Sequence, residues 1–240
     1  KRRGTERMGV TYNPRLSTTG LIFCYDETNI KSGTSSELIE NRNASIISTT
    51  QRDFAQDTSL ATTYASVAQY NSSAPSPGTG FSFSAWIRRT GATTGDWNII
   101  MNIDSGGPRY RMLWFGWYFN TTDRIHCSMP YYNGTDSSNW FSVDPTWANA
   151  GLTLVQNQWY NFTATYNNST RVLSTYINGI LALSGTRPGL GDLNNPNNAP
   201  IRMYGCNNTS SQNGQLTSVS LYNRALTTQE IQQNFNATKS

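Results

Sequence analysis

The segment FSFSAWI, residues 81–87, decides the fold class of this 240-residue chain. Phe81, Phe83 and Ala85 alternate with serines, so the apolar side chains fall on one side of an extended backbone and the small hydroxyls on the other. A period of two indicates a half-buried β-strand. The same alternation returns in WYNFTATY, residues 159–166, and again predicts a strand with one side facing a core.

Turn and helix signals organise the rest of the chain. Asn178-Gly179 separates two apolar runs and predicts a two-residue hairpin, because a type I′ turn needs positive φ at both positions. Thr227 followed by Glu230 forms a capping box and predicts a C-terminal helix. Residues 130–151 are predicted to form a long loop. About ten short strands and one terminal helix are expected, which describes an all-β antiparallel sandwich.

The composition excludes disorder and membrane-spanning classes. Hydrophobic residues make up 36% of the chain and aromatic residues 12%, which is ample material for a core. Charged residues make up only 13%, so Asn, Ser, Thr and Gly solvate the surface instead. No stretch approaches the roughly 20 apolar residues of a membrane span, so no membrane partner is expected.

The net charge of +4 belongs to the N-terminus. Five basic residues precede position 16: Lys1, Arg2, Arg3, Arg7 and Arg15. Glu6 alone opposes them, and the remaining charges of the chain cancel. We therefore divide the chain into a basic extended arm, residues 1–19, and one sandwich domain, residues 20–240. The arm could contact nucleic acid or an acidic partner, and a solvated or docked tail is the alternative. The neutral body predicts no specific nucleic-acid partner.

Three segments together resemble a known family. They are residues 81–87, residues 158–166 followed by YING at 176–179, and LYNRALT at 221–227 with Glu-Ile at 230–231. Their combination is similar to the core of concanavalin A-like, laminin G-like domains. The resemblance implies a concanavalin A-like antiparallel β-sandwich (jelly roll) with an extended N-terminal arm and a short C-terminal helix.

The opening of the chain carries a second resemblance. Residues 12–15 and 20–26 are similar to the start of such domains in structural proteins of tailed bacteriophages, whereas residues 30–75 depart from that pattern. This resemblance implies a capsid decoration or fibre protein on the virion surface, assembled in the host cytoplasm. The basic arm would then anchor the domain to the assembly through Lys1, Arg2, Arg3, Arg7 and Arg15. Its partners would be other virion proteins, such as the major capsid protein or neighbouring copies. The alternative is a carbohydrate-binding, receptor-recognition module of a tail fibre or secreted protein that binds host surface polysaccharide.

The sequence does not favour catalysis. His126 is the only histidine, so any Ser-His-Asp or Cys-His system would depend on it, and its place in an apolar strand is typical of an ordinary packed residue. Some relatives on this fold cleave glycans with paired carboxylates. No Glu occurs between Glu40 and Glu230. We therefore expect a non-enzymatic protein, with a glycoside-active enzyme as the weaker alternative.

Aromatic residues in the predicted 130–151 loop are the best candidates for binding. The candidate glycan- or partner-binding residues are Tyr131, Tyr132, Trp140 and Trp147, with Asn133 and Asn139. Aromatic rings suit the C–H faces of sugars, and amides suit their hydroxyls. Packing against the sandwich and a protein–protein interface are the alternatives, because Tyr and Trp also anchor interfaces.

The resemblance also implies a calcium site at the sandwich rim, and no other cofactor is expected. The candidate ligands are the turn carboxylates Asp104, Asp123, Asp136 and Asp144. The acidic residue that commonly precedes the family's last strand is replaced by GQLTS at residues 214–218, which weighs against a metal. Solvated turn aspartates are the alternative.

Three cysteines complete the set of reactive residues, at positions 24, 127 and 206. They lie far apart and have no metal-binding spacing. Buried thiols and assembly in a reducing compartment are expected, with one buried disulfide as the alternative.

Overall fold

The computed structural model describes residues 16–25, 44–46, 68–73, 80–89, 98–104, 111–118, 124–131, 139–188, 200–203 and 214–239, in some strands by the backbone alone. Thirteen strands and one α-helix follow one another along these residues. They are β1 Leu21–Tyr25, β2 Ala44–Ile46, β3 Ala68–Ser73, β4 Gly80–Arg89, β5 Asn98–Asp104, β6 Arg111–Tyr118, β7 Arg124–Tyr131, β8 Asn139–Val143, β9 Trp159–Asn167, β10 Val172–Ile177, β11 Ile180–Thr186, β12 Pro200–Met203, β13 Gly214–Tyr222 and α1 Thr228–Thr238.

The strands form two antiparallel sheets. The six-stranded sheet has the order β1-β13-β4-β9-β10-β11, and the seven-stranded sheet has the order β2-β3-β12-β5-β6-β7-β8. A short 3₁₀ helix, Trp147–Ala150, connects β8 toward β9. The predicted concanavalin A-like all-β sandwich with a C-terminal helix is confirmed.

The core lies between the two sheets and follows the predicted alternation. Phe83 on β4 packs edge-on against Phe115 on β6, with ring centroids 4.9 Å apart, and Phe115 lies 4.3 Å from Phe162 on β9. These three rings are fully buried, so they join the sheets through aromatic contacts. The inward side chains of β4 and β9 are all buried: Phe81, Phe83, Ala85, Ile87, Tyr160, Phe162, Ala164 and Tyr166.

The outer face of the six-stranded sheet is covered as well. The predicted capping box starts α1, with the Thr227 side chain accepting from the Glu230 amide. Ile231 is 1% exposed, and Phe235 stacks on Trp86 of β4 with ring centroids 5.7 Å apart. Residues 81–87 are therefore buried on both faces, and the prediction of a half-buried strand was wrong for β4. The segment after β13 and the helix cover the serines that period-two alternation would leave in solvent.

Residues just before β1 are docked on this helix. The Ser17 amide donates to Asn234 Oδ1 at 2.8 Å, and Arg224 Nε donates to the Thr19 carbonyl at 2.9 Å. Leu16 packs against the apolar cluster beneath α1. The last residues of the predicted arm, from 16 to 19, thus contact the domain. Residues 1–15, which include all five predicted anchoring residues (one lysine and four arginines), lie outside the described residues.

The predicted loop at residues 130–151 is the main local error. It contains the end of β7, all of β8 and the 3₁₀ helix at Trp147–Ala150. The predicted hairpin is confirmed, since Asn178 and Gly179 have φ values of 52° and 75° between β10 and β11. In the described part of the chain, no helix combines the length and apolarity needed to cross a membrane.

Candidate functional site

The end of the β7–β8 pair holds three predicted sugar-binding residues at register positions of two different faces. Tyr131 ends β7 and stands opposite Asn139, and Trp140 stands opposite Pro130 one step along β8. Tyr132 and Asn133 lie outside the described residues. Because successive residues of a strand alternate between its faces, Trp140 stands on the face opposite to the positions of Tyr131 and Asn139, so the strand pair does not join all three at one surface.

Trp147 belongs to the core instead. Its side chain is 3% exposed and packs edge-on against Tyr160, with ring centroids 5.7 Å apart and an interplanar angle of 83°. A sugar needs an exposed ring face for stacking, so Trp147 is not available as a sugar-binding residue in this structure. Ala150 at the end of the same 3₁₀ helix is also buried, so this helix packs against the edge of the core.

A polar row crosses the outer face of the seven-stranded sheet. Cross-strand register links one residue from each strand along this row, in sheet order: Ser45, Gln69, Arg202, Asn102, Trp114, Ser128 and Ser142. Residues directly opposite in antiparallel strands share a face. The adjacent inward row is apolar in every strand: Ile46, Ala68, Met203, Met101, Phe115, Cys127 and Val143.

Trp114 is the aromatic member of this row and was not among the predicted binding residues. It stands opposite Asn102 of β5 and Ser128 of β7. The sequence carried a signal for it, because residues 111–118 are aromatic at both alternating sets of positions, whereas one set suffices for a core. Asn102 and Gln69 gave no such signal, since their alignment with Trp114 depends on the register of four strands, β3, β12, β5 and β6.

Part of this outer face is closed. His126 and Ser128 of β7 are 7% and 1% exposed although they alternate with the core residue Cys127. Ser142 on the neighbouring edge strand β8 is exposed. A ligand on this face would therefore lie to the side of these two β7 residues.

Asp144 is held by basic side chains at one end of the sheet. Its Oδ1 lies 2.8 Å from His126 Nδ1, and its Oδ2 lies 3.7 Å from Arg124 Nη1. These contacts orient the only histidine of the chain by a carboxylate. The Arg124 guanidinium offsets part of the negative charge of Asp144, which weakens this carboxylate as a calcium ligand.

Asp104, the other predicted calcium ligand that lies within the described residues, is far from Asp144. Asp104 stands opposite Arg111 at the start of β6. Asp144 lies beside Arg124, which stands opposite Tyr118 at the end of β6. Seven steps along β6 separate these ends by about 23 Å, so Asp104 and Asp144 cannot hold one ion. Asp123 and Asp136 lie outside the described residues. Among the described residues, no three His, Cys, Asp or Glu side chains cluster as a metal site would require.

The described site residues also offer no activated nucleophile. Cys127 beside His126 is completely buried, and this burial, with the nearby Asp144 charge second, raises the pKa of its thiol well above the usual value. Nucleophilic cysteines need the opposite shift. Cys127 is free, as predicted, while Cys206 lies outside the described residues.

Comparison with solved structures finds the same sandwich in sugar- and receptor-binding proteins. The botulinum neurotoxin serotype D ligand binding domain, solved with N-acetylneuraminic acid, has a TM-score of 0.63 at 15% identity over 91% of this chain and 51% of that chain. The binding domain of Paraclostridial Mosquitocidal Protein 1 has a TM-score of 0.61 at 17% identity over 90% of this chain and 52% of that one. The present chain thus spans about half the length of these two solved domains.

A third similar structure is matched along nearly all of its length. Domain 4 of AbnA, a GH43 extracellular arabinanase from Geobacillus stearothermophilus solved with arabinotriose, has a TM-score of 0.57 at 16% identity over 88% of this chain and 96% of that chain. At these identities the likeness shows the fold alone.

Sequence comparison assigns the family. Among curated protein sequences, none matches the chain significantly. The family model described as the concanavalin A-like lectin/glucanases superfamily matches residues 59–232, well over half of the chain. Together with the two-sheet sandwich and its C-terminal helix, this match establishes that the chain belongs to the concanavalin A-like lectin/glucanase superfamily.

Proposed function

We propose that this chain is a non-enzymatic carbohydrate-binding domain, and that its glycan lies on the outer face of the seven-stranded sheet. The observation that carries the proposal is the row of register positions in which Trp114 stands beside Asn102, with Gln69 two strands further on. An indole ring suits the C–H face of a sugar, and amides both donate to and accept from hydroxyls. The row therefore combines the two chemistries that a sugar ring presents.

The location follows from what covers the opposite sheet. On the six-stranded sheet, α1 buries Trp86 against Phe235, and Ile231 closes the cluster beneath the helix. The segment at Leu226 bonds directly to Ser82 of β4. The outer face of β4 and its neighbours is therefore occupied by the chain itself, whereas the described residues contain no second α-helix that could cover the other sheet.

The comparisons support this substrate class. Two of the similar domains were solved with a sugar, N-acetylneuraminic acid in one and arabinotriose in the other. By their descriptions, the first is the ligand binding domain of a neurotoxin and the second is domain 4 of an arabinanase. A sandwich of this shape is thus suited to glycan binding without catalysis of its own.

The carboxylates of the chain support a binding function over hydrolysis. Asp104 is the only acidic residue within the thirteen described strands. Glycosidases need a pair of carboxyl groups about 5–10 Å apart across the scissile bond. Asp144 lies at the other end of the sheet and is paired with Arg124 and His126. The described strands therefore offer no such pair.

Binding of the purified full chain to a glycan array, followed by calorimetry on the best ligand, tests the proposal. We expect Trp114→Ala to weaken binding at least about tenfold, which corresponds to about 1.4 kcal/mol. Trp159→Ala is the matched control, because Trp159 is a partly exposed tryptophan at the end of β9 in the other sheet, with Arg88 5.1 Å above its ring. No glycan bound by the intact chain, or equal loss in both variants, would disprove the proposal.

We further propose that this domain stands on the surface of a bacteriophage particle, in a capsid decoration or a tail fibre. The support is the basic arm and the sequence resemblance of residues 12–26. The hydrogen bonds of Ser17 with Asn234 and of Thr19 with Arg224 fix the attachment point of residues 1–15 on the domain. Host surface polysaccharide would then be the glycan, and the major capsid protein or neighbouring copies would hold the arm.

Co-sedimentation with purified capsids or tails tests this location. The deletion should remove residues 1–15 only, because deletion of residues 1–19 would also remove the contacts of Ser17 with Asn234 and Glu230. We expect the full chain to sediment with particles and the truncated chain to remain in solution while keeping its glycan affinity. Equal sedimentation of both forms, or of neither, would refute anchoring by the arm.

A further inference from the structure

The polar row on the outer face of the seven-stranded sheet contains one charged residue, Arg202 of β12. Gln69 of β3 stands directly opposite it on one side, and Asn102 of β5 on the other. Residues directly opposite in antiparallel strands have Cβ atoms about 5 Å apart and share a face. Arg202 therefore belongs to the same surface as the amides and the indole of the proposed glycan-binding row.

The other arginines of this sheet are matched with carboxylates. Its seven strands hold three arginines and one aspartate: Arg111, Arg124, Arg202 and Asp104. Arg111 stands opposite Asp104, and the Arg124 guanidinium lies 3.7 Å from the carboxylate of Asp144, which follows β8. The residues opposite Arg202 are neutral on both sides. The arginines of the sheet therefore exceed these two carboxylates by one, and register places the additional positive charge in the polar row.

The position of Arg202 is within reach of a sugar chain that stacks on Trp114. β12, β5 and β6 are consecutive in sheet order, with Asn102 between the two positions. Neighbouring strands lie about 4.8 Å apart, so the backbone positions of Arg202 and Trp114 are about 10 Å apart. Two sugar units with one unit between them cover such a distance. His126 and Ser128, which close part of this face, belong to β7 on the other side of Trp114.

We propose that this face selects anionic glycans, and that Arg202 is the specificity-determining residue, which binds a carboxylate or sulfate group of the glycan. The inference rests on the proposed glycan-binding function and adds the charge class of the ligand. A guanidinium is a planar fork of donors that pairs with two oxygens of one acidic group. The amides of Gln69 and Asn102 would bind the hydroxyls beside that group. A neutral glycan would forgo the charge-assisted pair, so the charge of the sugar becomes the basis of selection.

The affinities of the full chain for an acidic glycan and for its neutral counterpart test the proposal. The acidic probe is the best carboxylated or sulfated ligand on a glycan array, and the neutral probe is the same glycan after carboxyl reduction or desulfation. These two treatments also show which acidic group is bound. Because charge-assisted hydrogen bonds are stronger than neutral ones, we expect calorimetry to give at least about tenfold tighter binding of the acidic probe. Added salt should weaken binding of the acidic probe more than that of the neutral probe.

The substitution Arg202→Gln should remove this preference. It removes the charge and keeps a hydrogen-bonding side chain, so we expect affinity for the acidic probe to fall at least about tenfold and affinity for the neutral probe to change by less than about twofold. Lys239→Gln is the matched control, because Lys239 is exposed at the end of α1, on the other sheet, and its loss changes the net charge equally. Thermal unfolding should show that both variants are folded.

The outcomes separate this inference from the proposed function. Glycan binding with equal affinity for the acidic and neutral probes, or with neutral glycans alone, would overturn the selection for anions and leave glycan binding in place. Equal losses in Arg202→Gln and Lys239→Gln would overturn the role of Arg202. If the intact chain bound no glycan, the proposed function and this inference would both fail. The comparison of the two probes on the wild type does not depend on the folding of any variant.

Discussion

The hydroxyl of Ser82 should stabilise the fold far more than its small size suggests. Ser82 is fully buried on the outer side of β4. Its Oγ accepts from the Leu226 amide at 2.8 Å, donates to the Arg224 carbonyl at 2.9 Å and lies 2.9 Å from the Thr165 hydroxyl. One side chain thus satisfies two backbone groups of the segment that leads into α1.

Substitution of Ser82 by Ala would leave these two backbone groups without their partner beneath the helix segment. A buried polar group without a hydrogen bond costs about 1–3 kcal/mol. Burial without a hydrogen bond costs less for the Arg224 carbonyl than for the Leu226 amide, so the total is less than twice the cost for one group. We therefore expect Ser82→Ala to lower the free energy of unfolding by about 2–4 kcal/mol. That loss is a large fraction of the total of about 5–15 kcal/mol typical of a domain.

Ser84→Ala is the matched control. Ser84 lies two residues along the same face of β4 and is also buried, but its partners are the side chains of Thr163 at 2.9 Å and Asn161 at 3.3 Å. Those two side chains also bond each other at 3.3 Å, so they keep a partner when the serine is removed. We expect a loss of about 1 kcal/mol, the net value of an ordinary hydrogen bond.

Urea unfolding of both variants, followed by tryptophan fluorescence, measures the difference. Equal m-values would show that the change lies in stability rather than in the extent of unfolding. If Ser82→Ala were no more destabilising than Ser84→Ala, the assignment of the Ser82 hydroxyl as the link between β4 and the helix segment would be wrong.

Three further predictions follow from buried or paired groups. The Arg224 guanidinium, followed by the hydrogen bonds from Thr227 and Ser17, lowers the pKa of Glu230 from 4.5 to about 2. The ionised Glu230 therefore stabilises the fold fully above its unfolded pKa, and this stabilisation is lost as the pH falls from about 5 toward 2. Glu230→Gln should flatten the acid limb of a stability–pH profile. Trp147→Ala should cost about 3–5 kcal/mol in urea unfolding, as aromatic core truncations do, and leave the glycan affinity of the folded fraction unchanged; a selective loss of affinity would place the indole in the site. Cys127 should resist iodoacetamide in the native protein and react after unfolding, because burial raises the pKa of its thiol, and peptide mass spectrometry checks this.

The parts of the fold that could be predicted depend on short-range patterns. The Asn178-Gly179 turn and the Thr227–Glu230 capping box need only neighbouring residues, and both occur as expected. The core face of β9 was also predictable, because alternation over eight residues leaves one assignment for its inward side.

The errors arise where distant contacts decide. β8 has only five residues, NWFSV, and becomes a strand through pairing with β7 rather than through a pattern of its own. Trp147 is buried because Tyr160, thirteen residues later, provides the ring that it packs against. The position of Trp114 beside Asn102 requires the register of β5 with β6, which no local signal specifies.

The serine and threonine positions of β4 and β9 show why the functional face could not be chosen from alternation. Ser82, Ser84, Thr163 and Thr165 form a hydroxyl ladder that looks like a solvated, available surface, yet each is at most 6% exposed. The ladder is buried because its hydroxyls satisfy one another and the backbone of the segment before α1. A polar strand face is therefore compatible with complete burial when a helix segment brings its own donors and acceptors. In this chain the C-terminal helix occupies the polar face of one sheet, and for that reason the polar row of the other sheet is the surface on which a ligand should be sought.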